Sequence, residues 1–526
     1  MRLYGCEQDA DRPAVGTIAD IDLDTVVVSE DVGSGLRRDD RPTARANRIV
    51  FGVLPALAAV AVLRARFVVA PLTVDEGGYM GIARAWGRGA RLYDDVWVDR
   101  PQGLLVAYRF LNAVGLGTPV GVRLLAIAAC AVGVVACGHI AALLVGERAR
   151  LPAGLFVAVF TSLPQIEGHT ANSELLSASL GAAALALCLH ACRNSTGDRW
   201  LLLAAGVVGG AAISTKQSAF DALGAAFIAV LIMGAAGKST LQRVRAAGVL
   251  ACGVAIPLGL CAFHGALTGW DRWWYAVAGY RLSQRSAFAD ARFDRIDPIW
   301  ELLKPSVLPL AATISIAAVA GVVWSPASRR AMIVLATWCL LAAAAFMLGG
   351  QFFRHYWTIL AFPAATVGGA AIGAVRPHAA RALLAAVVLI GPVHLTTEAM
   401  RLPRSEIGPV LHGDGRLIAS EQVADWFDAH AAPGDQIYVL CASAAVYGDT
   451  DADPPYPYIW LDGVRQIPGA LERLTALLSS PTRPRFVAAF QQPNSCDASG
   501  RLASVLADHY AVLATDTSIR ILEARD

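Results

Sequence analysis

Long apolar runs separated by short polar links occupy the chain from about residue 49 to residue 397. They fall at about 49–72, 119–145, 151–165, 174–192, 200–215, 218–236, 246–265, 306–325, 331–349, 357–375 and 382–397. Roughly 20 apolar residues in a helix cross about 30 Å of hydrocarbon, so the pattern predicts about eleven transmembrane helices, the shortest runs falling under that length. Before them, residues 1–48 are rich in Asp, Arg, Gly and Thr and show little periodicity beyond a short Thr-Val-Val-Val run at 25–28, the signature of a disordered tail. After about residue 398 the pattern changes again. Short apolar stretches at 437–440, 486–490, 511–513 and 519–522 read as buried strands, and helical patterns at 418–430, 468–479 and 500–508 alternate with them. The expected organisation is a tail at 1–48, a helical membrane domain at 49–397 and a small α/β domain at 398–526, with a Pro433-Gly434-Asp435 turn leading from helix into strand.

Composition agrees with this pattern. Of 526 residues, 56% are hydrophobic and 16% charged, and the mean hydropathy is +0.50, far from soluble domains. The net charge of +2 comes from arginines scattered between apolar runs, which excludes a nucleic-acid partner because such a partner needs cations clustered on one face. The first run is long enough to act as an uncleaved anchor instead of a signal peptide. Most of the ten cysteines lie in apolar segments without metal-ligand spacing. Cys441 and Cys496 fall in the last domain and can pair in an oxidising compartment, but spacing alone does not decide it.

Charge placement orients the chain. With the basic end of the tail inside, alternate links carry Arg148 and Arg150, Arg193 and Arg199, Lys238 with Arg243 and Arg245, Arg329 and Arg330, and Arg376 and Arg381. Cations mark the cytoplasmic side. The loops holding Asp75, residues 165–173, 268–305 and 349–355, and the whole last domain then lie outside. Polar chemistry collects on that face.

In the first outer loop, Val74-Asp75-Glu76-Gly77-Gly78-Tyr79 is followed by an amphipathic stretch in which Tyr79, Ile82, Ala83 and Trp86 share one face, with Arg84 and Arg88 turned away from it. Tyr93-Asp94-Asp95 and Asp99-Arg100-Pro101-Gln102 come next. This order resembles the first extracytoplasmic loop of the GT-C glycosyltransferases, in particular bacterial relatives of protein O-mannosyltransferases and aminoarabinose transferases. The resemblance implies a polytopic α-helical GT-C fold in a bacterial plasma membrane and transfer of a mannose-like hexose or a pentose, with inversion, from a polyprenyl-phosphate donor to an unidentified extracytoplasmic glycan, lipid or protein acceptor.

Such a transfer needs a base for the acceptor hydroxyl, cations for the departing phosphate and a groove for the lipid. The resemblance places Asp75 at the base position, with Glu76 as the fallback. Lys216, Arg354, His355 and Arg100 are the candidate phosphate ligands, and Tyr79, Asp99, Glu174 and Tyr356 candidate cavity walls. Each has a plainer reading: Lys216 as an anchor at the interface, Glu174 as a helix-end charge beside a cap at Asn172 or Ser173, and the 354–356 stretch as a decorated helix start. Gln102 departs from the second proline common in relatives. No metal is assigned, although Asp75, Glu76 and Glu174 have the hard oxygens a divalent ion prefers. The tryptophans at 270, 273 and 274 fit an interfacial belt. The last domain has no phosphate fingerprint and no acid–base constellation, which leaves acceptor binding or a structural cap. A transporter or a non-catalytic envelope assembly protein remains as an alternative. The only acid well inside a span is Asp221, whereas a transporter keeps coupling acids near the midplane.

Overall fold

The computed structural model describes residues 52–193, 198–233, 239–283, 293–324, 326–441, 443–516 and 519–525. The expected tail at 1–48, and Lys238 among the orienting cations, lie outside them. Each of the eleven predicted apolar runs falls on a helix: α1 Leu54–Ala65, α4 Pro119–Leu144, α5 Arg150–Phe160, α6 Ser173–Arg193, α7 Arg199–Thr215, α8 Asp221–Met233, α9 Thr240–Thr268, α10 Ile296–Trp324, α11 Pro326–Leu348, α12 Trp357–Ala374 and α13 His378–Met400. Among the described residues, six helices are long and apolar enough to cross a bilayer, and a seventh span results if α1 is joined to the helix after it. α5 and α7, with 11 and 17 residues, fall short of the roughly 20 that a bilayer takes, and α8 has 13 described residues.

Between α1 and α4 lie the two helices of the first loop, α2 Val74–Gly87 and α3 Gln102–Ala113. The chain bends by 79° between α1 and α2. Thr73 starts α2 with a reciprocal cap: its hydroxyl accepts from Glu76 N at 3.3 Å, and Glu76 Oε2 accepts from Thr73 N at 3.0 Å. Arg64, buried in α1, donates to the carbonyl of Thr161 at 2.8 Å and to Ser162 Oγ at 3.1 Å, satisfying the end of α5.

The carboxyl-terminal region contains α14 Leu417–His430, α15 Ala470–Ser479 and α16 Arg501–His509 around strands β1 Ile437–Leu440, β2 Phe486–Ala489, β3 Tyr510–Asp516 and β4 Ile519–Ala524. The sheet order is β1-β2-β4-β3, with β1 parallel to β2 and the other pairs antiparallel. All four strands and these three helices stand where the apolar pattern predicts them, while the short helices Val446–Asp449 and Leu461–Gln466 were not predicted. Cys441 and Cys496 are disulfide-bonded, their Cα atoms 5.9 Å apart, closing the end of β1 onto the loop after β2. The bridge spans 55 residues, so the Cys441→Ser, Cys496→Ser protein should lose roughly 2–4 kcal/mol. Thermal unfolding with and without reductant measures this, and identical curves for the two proteins would refute it.

The carboxyl-terminal domain packs directly on α2. Helix Val446–Asp449 crosses it so closely that a Cβ on Gly77 would lie 2.5 Å from Ala445 Cα, and one on Gly81 2.6 Å from Tyr447 Cβ. The glycines of the first loop therefore form a docking groove. Arg84 and Arg88, expected on the side of α2 turned away from its apolar face, hold this contact. Arg84 donates to the carbonyls of Tyr447 and Ala452, and Arg88 to the carbonyl of Asp451 at 2.8 Å. Guanidinium donors near carbonyl-rich turns satisfy backbone acceptors that the tight packing removes from water.

Candidate active site

A cavity of about 290 Å³ lies where the 73–100 and 167–172 loops, the 280–281 turn, the head of α12 and the carboxyl-terminal region meet. Asp75 and Tyr79, one helical turn apart on α2, form one wall. Asp99 and Arg100 form the next. Their backbone is held by Tyr93 Oη donating to the Arg100 carbonyl at 2.9 Å and Gln217 Nε2 donating to the Asp99 carbonyl at 3.1 Å. Pro101 then caps α3 with its fixed φ of −65°. Asp99 pairs with Arg100 at 2.9 Å and with Arg281. Burial raises the affinity of Asp99 for a proton, and these two guanidiniums overcome that and hold its carboxyl below the usual range.

Glu167, in a left-handed conformation at φ +56°, closes the floor. Its carboxylate accepts from His355 Nδ1 at 2.8 Å and from His412 Nδ1 at 3.1 Å. Burial opposes ionisation, but the two histidine bonds outweigh it and hold Glu167 well below the ordinary carboxylate range. Asp75 differs. It accepts no hydrogen bond from any described residue, and burial, offset only in part by His355 and Arg100, pushes its carboxyl up. A partner-free carboxylate facing cations across a cavity can take a proton from a bound hydroxyl.

The other predicted site residues are arranged differently from expectation. Glu76 is fully buried and does not reach the cavity: Oε1 accepts from Ala171 N at 2.8 Å and pairs with Arg123, whose Nη2 donates to the Pro71 carbonyl at 2.6 Å. Adjacent helical residues point about 100° apart, so Asp75 and Glu76 face opposite surroundings. Lys216 stands one layer behind the lining, paired with Glu174 and placed 4.1 Å over the Tyr356 ring. His355 Nε2 lies 3.8 Å from the same Glu174. Lys216, Glu174 and Tyr356 thus form a charged second layer beneath His355. Asn172, at 2.8 Å from Leu175 N, supplies the α6 cap. Arg354 turns away from the cavity and donates to the carbonyl of Leu411 at 2.7 Å. The guanidiniums lining the cavity are those of Arg100 and Arg281. Glu76 and Glu174, two of the three expected oxygen donors for a divalent ion, are each neutralised by a buried cation, and among the described residues no three such side chains converge.

Sequence reasoning missed Glu167, Arg281, His412, Trp460, Asp462 and Gln466 as cavity residues. Glu167 had a signal, since it lies in the polar 165–173 loop. Trp273, expected in an interfacial belt, is buried and donates to Gln102 Oε1 at 3.2 Å. Gln102 in turn borders a second, largely apolar cavity of about 770 Å³ lined by Trp86, Phe110, Leu180 and Leu260 among others.

No protein-family model matches the sequence, and no curated protein does. Solved structures do match. They share the overall fold of this chain, in which, among the described residues, six helices are long and apolar enough to cross a membrane. ArnT from Cupriavidus metallidurans bound to undecaprenyl phosphate superposes with a TM-score of 0.58 at 16% identity, covering 91% of this chain and 98% of that one. Its apo state gives 0.56 at the same identity. The archaeal oligosaccharyltransferase AglB from Archaeoglobus fulgidus, in complex with an inhibitory peptide and a dolichol-phosphate, gives 0.53 at 11% identity over 91% of this chain and 75% of that one.

Proposed function

We propose that the chain is an integral membrane glycosyltransferase that moves a hexose or pentose from a polyprenyl-phosphate donor to an extracytoplasmic acceptor with inversion. The observation that carries this reading is the free carboxylate of Asp75 sharing one cavity with Arg100 and Arg281. The acceptor hydroxyl gives its proton to Asp75 while its oxygen bonds to the anomeric carbon. The bond from that carbon to the phosphate oxygen breaks, and its electron pair leaves with the polyprenyl phosphate, which gains one negative charge. Arg100 and Arg281 offset that charge, and guanidinium forks suit phosphate oxygens. The apolar cavity begins two residues along the chain from Arg100, at Gln102, and suits the polyprenyl tail. The solved ArnT structure, by its description, holds undecaprenyl phosphate, which supports the donor class. The cytoplasmic tail and outward catalytic face follow from the distribution of arginines.

Incubating the full-length protein with polyprenyl-phosphate sugars and an envelope extract, and following release of polyprenyl phosphate, tests the reading. Arg100→Gln and Arg281→Gln should each weaken donor use by roughly 1.5–3 kcal/mol, the range for a charge-assisted hydrogen bond. Arg354→Gln should leave donor kinetics near wild type. The reverse order would put the phosphate elsewhere.

A further inference from the structure

The carboxyl-terminal domain supplies part of the cavity through one segment, Trp460 followed by the short helix Leu461–Gln466. Trp460 lies against α2, its ring 5.8 Å from Tyr79 and seated over Gly78, where a Cβ would come within 2.4 Å of the indole. Only glycine there lets the ring lie flat on the helix, one turn from Asp75. The indole Nε1 is buried and has no hydrogen-bond partner among the described residues. At the other end of the segment, Gln466 Oε1 accepts from Tyr280 Oη at 2.9 Å, next to Arg281. Between them Asp462 faces the cavity and forms no hydrogen bond or ion pair with any described residue.

We propose that Trp460, Asp462 and Gln466 form the wall that reads the sugar ring of the donor. This rests on the glycosyltransferase reading. In an inverting displacement the acceptor oxygen and the phosphate oxygen stand on opposite sides of the anomeric carbon, so the transferred ring occupies the gap between base and cations. The segment spans that gap, from beside Asp75 to beside Arg281. An indole offers an apolar face for ring C–H groups and an N–H for one oxygen. A free carboxylate accepts several hydroxyl protons, and the Gln466 amide has two donors left. A site that hydrogen-bonds hydroxyls rejects rings lacking them far more strongly than an apolar pocket rejects a change of size. Specificity for the sugar would thus reside on the domain that sequence patterning assigns to acceptor binding or capping.

The test uses full-length Asp462→Ala and Gln466→Ala proteins, both changes at exposed positions, with a panel of polyprenyl-phosphate hexoses and pentoses and with polyprenyl phosphate carrying no sugar. Each variant should lower kcat/KM for the preferred donor tenfold or more and change the ranking of the panel, while binding of sugar-free polyprenyl phosphate stays at the wild-type level. An unchanged ranking with unchanged kcat/KM overturns the proposal. So does a rise confined to the acceptor KM, which would move the segment to the acceptor. A wild-type protein that transfers from no donor overturns the parent reading and this one together, and is told apart because no variant is involved.

Discussion

Asp75→Asn protein should insert, fold and bind donor as the wild type does, yet turn over about 10²–10⁴ times more slowly, a loss of roughly 2.7–5.4 kcal/mol. The amide has nearly the shape of the carboxylate but cannot take a proton. No described residue bonds to Asp75, so the substitution breaks no hydrogen bond that supports the fold. Asp75→Glu should keep a fraction at most, since one methylene moves the oxygen within a cavity of only about 290 Å³. The elevated proton affinity of Asp75, caused first by burial, adds a pH signature. The base works only when ionised, so kcat/KM should fall as pH drops through its pKa, and that acid limb should lie above the range of an ordinary aspartate. Single-turnover rates across pH decide the matter. A fully active Asp75→Asn enzyme removes the mechanism, and an acid limb unchanged by Asp75→Glu would assign it to another group.

The helices between residues 54 and 400 were legible because apolar runs bounded by polar links need only local periodicity, and each of the eleven runs falls on a helix. The strands of the last domain were legible for the same reason, as short apolar stretches such as 437–440 stand out between turn residues. What escaped was the pairing of distant charges. Lys216 looks like a free cation in its own link, but Glu174, 42 positions earlier, neutralises it. Arg354 precedes the α12 helix as expected, yet the carbonyls of Val410 and Leu411 claim it. Nor could local pattern show that Gly77 and Gly81 admit the backbone of residues 445–447, the contact that brings Trp460 and Asp462 to the cavity. The site therefore joins loops far apart in sequence, with Asp75, Tyr79, Asp99, Arg100 and His355 as its legible members.

Adjacent acids with opposite surroundings should respond oppositely to mutation. Glu76 and Arg123 are both within 1% of complete burial, and Glu76 also accepts from Thr73 and Ala171 while Arg123 holds the Pro71 carbonyl. Together they fasten the start of α2 to the loop that holds Ala171, which fixes where Asp75 stands. Removing one member of a buried pair strands the other charge in a medium that solvates it poorly, at a cost of about 3–5 kcal/mol. Glu76→Gln and Arg123→Met should each lower thermal stability by that order in detergent, and the double variant should recover part of the loss because no lone charge remains. The turnover of whatever fraction folds should fall less than in Asp75→Asn, since Glu76 positions the base without touching the reacting atoms. Glu76→Gln protein with wild-type unfolding and a hundredfold loss in turnover would instead return Glu76 to the chemistry, and additive losses in the double variant would show that the two charges do not act as a pair.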